Sequence, residues 1–127
     1  MSKSSISVGE VVRHVLMEDI QVSSRVRKIF PVVVDNATLP YIVYRRSGMK
    51  QDPTKQVRGA DTVVMQIVCY TEDYQSGVEL AESVRDALDG KWAEHGGLRM
   101  RSCTLSDCQE SWVDNAYVQN LIFTINL

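Results

Sequence analysis

Apolar and polar residues alternate most regularly in the stretch 61–70, which is the pattern of a β-strand with one buried face. The preceding stretch 39–44 is apolar on both faces, as expected of a strand in the middle of a sheet. These two strands are the predicted centre of the fold. In the stretch 61–70, the apolar side chains on one side are Val63, Met65, Ile67 and Cys69.

A long basic segment, 45–60, connects these two strands. Gly48, Pro53 and Gly59 interrupt regular structure in it, and hairpin connections are commonly about 2–5 residues long. We therefore predict that this segment is a projecting arm. Its cations outnumber its single acid, Asp52, and are Arg45, Arg46, Lys50, Lys55 and Arg58.

The arm has two interpretations. In the first, its charges only keep an exposed sheet edge from aggregating. In the second, they reach towards DNA or an acidic protein partner. The arm holds no aromatic residue on which bases stack, and the net charge of the chain is −2. These facts favour contact with protein, and we expect no specific binding of nucleic acid.

Apolar residues at helical spacing predict two helices, at about 7–19 and at 74–88. Ser7 and Glu10 have the spacing of a capping box at the start of the first helix. Asp73 brings negative charge to the start of the second helix, and Gly90 follows it as a C-terminal cap.

Three further strands complete the predicted sheet, at 22–34, 98–105 and 117–127. Pro31 lacks an N–H donor, so the first of these belongs at a sheet edge. Residues 107–116 read as a polar connection. The chain is thus predicted to be a single α+β domain with an antiparallel sheet of about five strands, two helices on one face and a long basic hairpin arm.

The face of the sheet away from the helices is predicted to be polar but poor in charge. Such a face is covered either by a second copy of the chain or by water, and the pattern supports both alternatives equally. The residues of this possible shared face are Thr62, Gln66, Asn120, Thr124 and Asn126.

The composition is that of one ordinary globular domain of 127 residues. The three cysteines are an odd number, which suits a reducing compartment better than a disulfide framework. No apolar run is long enough to span a bilayer, and no signal peptide is evident, so we expect a cytoplasmic protein without membrane contact.

Cysteine, histidine and acidic residues are present, but without the neighbouring residues that a metal site or a catalytic site needs. Cys103 and Cys108 do not have the spacing of a common zinc pair, and His14 and His95 have no neighbouring ligand in the sequence. Cys69 reads as a core residue. Gly-rich phosphate loops and the Gly-x-Ser-x-Gly motif are absent. We therefore predict no catalytic residues, no metal, no cofactor and no enzymatic activity. The acids Asp107, Glu110 and Asp114 read as ordinary loop residues.

Several of these features occur together in a known family. They are the Pro-Tyr strand at 39–44, the basic arm, the strand at 64–70, the pattern Tyr-x-x-Gly-x-x-Leu-Ala at 74–81 and a final sheet strand. In this combination the chain resembles the tail-completion, or tail-terminator, proteins of long-tailed bacteriophages and prophages. The resemblance covers most of the chain, but residues 107–116, which include Trp112, do not align with it.

The resemblance implies a structural virion protein. Such proteins assemble into a ring, commonly a hexamer, that caps the tail tube and helps to join the tail to the head. The implied partners are other copies of the chain, the tail tube protein and head connector proteins. The implied location is the host cytoplasm during assembly and then the head-proximal end of the virion tail. The alternative is another head-completion or connector-associated binding protein.

A closed ring needs two different, complementary surfaces on each subunit. The acidic side of the second predicted helix and the basic arm of a neighbouring copy would form such a pair.

Overall fold

A computed structural model describes residues 4–32, 36–51 and 61–127. In this part of the chain, a six-stranded sheet has the strand order β1-β2-β3-β6-β5-β4, and helices cover one face. β1 pairs with β2 in parallel, and the other neighbouring strands are antiparallel. In chain order the elements are α1 (Val8–Glu18), α2 (Ile20–Ser23), β1 (Lys28–Pro31), β2 (Tyr41–Gln51), β3 (Asp61–Thr71), α3 (Tyr74–Leu88), β4 (Lys91–His95), β5 (Leu98–Val113) and β6 (Ala116–Asn126).

The hydrophobic core lies between the sheet and the helices α1 and α3. The alternation predicted for β3 is confirmed, because every second residue from Val63 to Cys69 is buried and those between are half-buried. Both helices lie on this face, as predicted. The largest fully buried side chains include Leu16 from α1, Leu80 and Leu88 from α3, and Phe123 from β6.

The two ends of α3 are set by local hydrogen bonds. The Asp73 carboxylate accepts a 2.8 Å hydrogen bond from the backbone N–H of Ser76, which lowers the pKa of Asp73. Beyond the helix, Gly90 has φ 75°, and its N–H donates to the carbonyl oxygen of Cys103 at 2.7 Å. The predicted signal at the start of this helix is confirmed. At its end Gly90 has the left-handed conformation of a capping glycine, but the N–H that bonds to a helix carbonyl, that of Arg85, belongs to Asp89. The capping box predicted for α1 is wrong, since the Ser7 side chain makes no capping hydrogen bond.

The prediction of a five-stranded antiparallel sheet is wrong, because the sheet has six strands and one pair of them is parallel. The sequence analysis missed β4, and β1 runs parallel to β2 with Lys28 opposite Tyr41. β1 has only 4 residues, which span about 13 Å, so a parallel strand can follow it without a crossover helix.

Most of the described residues in the strand predicted at 22–34 do not form strand. Residues Ile20–Ser23 form α2, because the Asp19 carboxylate accepts hydrogen bonds from the N–H groups of Gln21 and Val22. Only Lys28–Pro31 is strand, and it lies at the sheet edge, as Pro31 had predicted. Residues 33 and 34 lie outside the described residues.

The first part of the predicted arm at 45–60 belongs to the sheet. Residues 45–51 continue β2 and pair with β3 as far as the Gln51 and Asp61 pair, with a register shift between Arg46 and Gly48. The sequence pattern did not predict residues 45–51 as strand, because their side chains are mostly polar, whereas those of the preceding residues 39–44 are apolar. The rest of the predicted arm, which includes Lys55 and Arg58, lies outside the described residues.

The polar connection predicted at 107–116 is also wrong. β5 continues to Val113, and a two-residue turn of Asp114 and Asn115 leads directly into β6. Both turn residues have positive φ, 48° and 64°, as in turns of type I′. This long hairpin places Trp112 directly opposite Tyr117.

Gly77 allows α3 to approach β3 closely. A Cβ atom at this position would lie 2.8 Å from Oγ1 of Thr71, which is itself held by a hydrogen bond to the carbonyl oxygen of Asp73. We expect Gly77→Ala to reduce the free energy of unfolding by about 1–3 kcal/mol through overpacking. Urea denaturation would measure this change.

Gly9 in α1 offers a matched control. A Cβ atom there would meet the Tyr44 ring at 3.4 Å, which is ordinary contact. Gly9→Ala should therefore raise the free energy of unfolding by about 0.5–1 kcal/mol, the usual gain in helix propensity. A stabilising effect of both substitutions would contradict the close approach at Gly77.

The turn between β5 and β6 gives a second prediction. Asn115→Val places a β-branched residue at φ 64° and should cost about 1–2 kcal/mol. Asn115→Gly should cost nothing, since Asp-Gly is preferred in such turns. Thermal unfolding of the two variants beside the parent chain measures the difference, and equal melting temperatures would argue against this turn.

Candidate functional site and interaction surfaces

The long strands run between two ends of the sheet that differ in chemistry. At one end, which we call the basic end, Lys50 of β2 lies opposite Thr62 of β3. At the other end, which we call the aromatic end, Trp112 and Tyr117 pair next to the β5–β6 turn. The start of α3 lies at the aromatic end as well, because Tyr74 contacts Tyr117 there.

Three large aromatic side chains are exposed at the aromatic end. Tyr74, Trp112 and Tyr117 have exposed fractions of 50%, 59% and 37%. The rings of Tyr74 and Tyr117 meet edge to face with their centroids 6.1 Å apart. Together with Glu110 these residues line a hollow of about 320 Å³, and we call these four residues the aromatic patch.

Glu110 supplies the charge in the aromatic patch. Its Oε2 atom accepts hydrogen bonds from the side chains of Gln119 and Tyr74, each at 2.9 Å. These two bonds lower the pKa of Glu110, and the same contact raises the pKa of Tyr74. The patch therefore holds an ionised carboxylate in a fixed position at neutral pH.

The face of the sheet without helices has its own cleft at the aromatic end. Its volume is about 460 Å³. The rings of Tyr41 and Tyr70 are stacked in it, with centroids 4.7 Å apart. Burial raises the pKa of both tyrosines, and the Asp114 carboxylate at the rim adds to the effect. The remaining lining side chains are mostly apolar, among them Leu39 and Val43.

The structure places the predicted shared-face residues together on the face without helices. The paired positions are Thr62 with Asn126, Val64 with Thr124, and Val68 with Asn120. Half-buried Val64 and Val68 lie among the predicted polar residues, on the face to which the alternation of β3 assigns them. The Asn120 side-chain oxygen is buried there without a hydrogen-bond partner in the described part of the chain.

The remaining members of this predicted face are held by hydrogen bonds. Gln66 accepts a 2.8 Å bond from Nε of Arg45, Asn126 donates to Ser102 at 2.9 Å, and the Thr124 hydroxyl bonds to that of Ser106. Whether the five predicted residues contact another subunit stays a prediction.

The predicted basic residues do not form one cluster in the described part of the chain. Arg45 lies on the face without helices, whereas Arg46 lies on the helix side and donates to the carbonyl oxygen of Ile6 at 2.8 Å. Lys50 is exposed near the end of β2. Lys55 and Arg58 lie outside the described residues, so the structure does not place them.

The outer side of α3 carries the predicted acids. Glu79, Glu82 and Asp86 line a shallow groove against α2, and Glu79 pairs with Arg25 at 3.2 Å. One of the acids is thus already neutralised within the chain.

The structure brings together two histidines that are far apart in sequence. The rings of His14 and His95 stack with centroids 4.1 Å apart, across α1 and β4. Cys69 and Cys103 are buried, and burial raises the pKa of both thiols, to about 12 for Cys103. The described residues contain no group of three or more His, Cys, Asp or Glu side chains that could hold a metal. They also contain no helix long and apolar enough to cross a membrane.

Sequence reasoning missed the aromatic patch. It assigned Glu110 and Trp112 to a loop, although their spacing of two residues already indicated one face of a strand. The Asp-Asn pair at 114–115 was the available signal for a hairpin turn.

Comparisons with known proteins agree with this architecture. The chain is similar over 98% of its length, and 98% of the other chain, to a solved protein of the virion of a native gene transfer agent particle, with a TM-score of 0.76 at 14% identity. A second solved structure, described without a function, gives a TM-score of 0.56 at 12% identity over 95% of this chain and 97% of the other. None of the curated proteins compared with the sequence matches it.

A family model identifies the chain more directly. The model described as Tail completion protein gp17 matches residues 10–115, which include most of α1, the whole of α2 and α3, and strands β1 to β5. The predicted resemblance to tail-completion proteins is thereby confirmed, and this chain belongs to the Tail completion protein gp17 family.

Proposed function

We propose that this protein completes the tail of a phage-like particle by closing into a ring on the head-proximal end of the tail tube. The ring would stop further growth of the tube and join the tail to the head. The observation that carries the proposal is the family match over residues 10–115, which gives the chain a structural role in tail completion. Its likeness in fold to a protein of a gene transfer agent virion supports the same role.

The partners follow from this role. They are further copies of the chain, in a ring of six, the tail tube protein and the head connector proteins. The protein would assemble in the host cytoplasm and then lie at the head-proximal end of the tail. We assign it no catalytic role, because the family is one of structural virion proteins.

The shape of the subunit is suited to ring closure. A ring requires that one surface of each copy fit a different surface of the next. The described chain has such a difference, since its long hairpins have a basic end and an aromatic end. The face without helices, with its half-buried Val64, Val68 and Ile122, gives a third surface for the tube or the connector.

Particles made without this protein test the role. We expect tails of irregular length and heads that lack tails, seen by negative-stain electron microscopy. Tails of normal, uniform length beside unjoined heads would instead indicate a head-completion or connector-associated protein. Complete infectious particles would overturn both assignments.

The basic segment gives a quantitative prediction. Replacing Arg45, Arg46, Lys50 and Arg58 by Ser should weaken self-association by about 10- to 100-fold, because exposed ion pairs contribute about 0.2–1 kcal/mol each. Light scattering across a concentration series would measure the effect, which should also shrink in high salt.

Arg99 and Arg101 are the matched control for this prediction. Both are exposed cations on β5, outside the basic segment. Replacing these two by Ser should leave assembly unchanged. If ring formation and tail joining survive the substitutions in the basic segment as well, the segment has no role in assembly.

A further inference from the structure

We propose that the aromatic patch, formed by Tyr74, Glu110, Trp112 and Tyr117, binds a lysine or arginine side chain from the basic segment 45–58 of a second copy of this chain. The inference rests on the proposed function in one respect, which is that copies of the chain assemble. It adds a specific surface, a specific occupant and the chemistry that joins them.

The first argument is the exposure of the patch. Tryptophan and tyrosine are enriched among the residues that dominate binding energy at protein interfaces. Here Trp112, Tyr74 and Tyr117 are neighbours, and each is more than one third exposed. Scattered apolar side chains on a surface need no explanation, but contiguous ones mark a site of contact.

The second argument is the charge of the patch. Glu110 is kept ionised by the two donors on Oε2, and within the described residues its Oε1 atom accepts no hydrogen bond. An apolar occupant would bury this carboxylate without a counter-ion, which is costly. A cationic side chain instead lays its aliphatic stem along the aromatic rings and places its charge at Oε1.

The third argument is the distribution of charge along the sheet. Acidic residues surround the patch, where Glu72, Asp73, Glu110 and Asp114 are all exposed. The cations that the structure describes at this end of the sheet, Arg27 and Lys28, lie away from the patch at the β1 edge. Of the basic residues that the structure describes, Lys50 lies near the opposite end of β2. β2 has 11 residues and spans about 36 Å, so Lys50 is too far from the patch of its own copy to reach it. Lys50 of a second copy can reach it, and the contact is then head to tail.

The acidic side of α3 is the competing acceptor for the basic segment. It lacks an aromatic surface, and Arg25 already pairs with Glu79. The aromatic patch combines a free carboxylate oxygen with rings that attract a cation, so we assign the contact to the patch.

Photo-crosslinking in assembled particles tests the contact directly. The full chain would carry a benzophenone amino acid in place of Trp112, in cells that produce particles, and mass spectrometry would identify the crosslinked peptide. We expect crosslinks to residues 45–58 of another copy. Crosslinks to another segment of the chain, to a different virion protein, or to nothing would overturn the proposal.

Trp92 provides the matched control position. It is a tryptophan of similar exposure, 63%, but it lies on β4 and stacks against Arg99 with a separation of 5.0 Å. The same crosslinker at Trp92 should not reach residues 45–58 of a neighbour. Crosslinks to that segment from both positions would show random collision and would overturn the assignment.

Two substitutions test separately how much the charge and the aromatic surface of the patch contribute to self-association. Glu110→Gln keeps the shape and the acceptor for Tyr74 and Gln119 but removes the charge, and Trp112→Ala removes the largest ring. Each should weaken self-association by about 10-fold or more, as expected for a contact at the centre of an interface. Trp92→Ala should have no effect. Thermal unfolding would confirm that each variant is folded.

The outcomes distinguish this inference from the proposed function. If the parent chain forms rings and the Glu110 and Trp112 variants form them equally well, the contact is wrong and the tail-completion role stands. If Glu82→Gln and Asp86→Asn weaken the rings instead, the acidic side of α3 is the acceptor. If the parent chain never self-associates, even on tail tubes, both proposals fail.

Discussion

The antiparallel pairing of β3 with β6 is the constraint on which the rest of the structure depends. The two strands are in register without interruption from the Thr62 and Asn126 pair to the Thr71 and Tyr117 pair. Because side chains alternate across a strand, this register places Met65 and Ile67 of β3 and Phe123 of β6 on the helix side together. A shift by one residue would turn one strand over relative to the other, so that either Met65 and Ile67 or Phe123 would leave the core.

The same register decides what the surface of the molecule offers to partners. It brings the end of β3, the start of α3 and the β5–β6 hairpin to one place, so that Tyr74, Glu110 and Trp112 become neighbours. The packing of the core and the position of the aromatic patch thus have a common origin.

Local patterns predicted the elements in which apolar and polar side chains recur at the spacing of a strand or a helix. β3 alternates because one of its faces is buried, so its faces were predicted correctly. For α3 the extent of the helix was predicted, but the buried side includes Leu80 and Ala87 rather than Tyr74 and Arg85. The second half of β2 and the far part of β5 escaped prediction. Both have mostly exposed side chains, so they lack the periodic pattern of a half-buried strand, and only their backbone pairing makes them strands.

The sequence by itself determined the α+β class, the single core, the buried faces of β3 and β6, and membership of a tail-completion family. These follow from burial, which leaves a periodic mark on the residues concerned. Only the tertiary structure decided the parallel β1–β2 pair, the long β5–β6 hairpin and the aromatic patch. The parallel pair and the contact of Tyr74 with the hairpin join residues remote in the chain, and no local pattern of hydrophobicity records which distant backbone or side chain will lie beside a given residue. The hairpin is local, but the exposed side chains before its turn hide the strand pattern of β5.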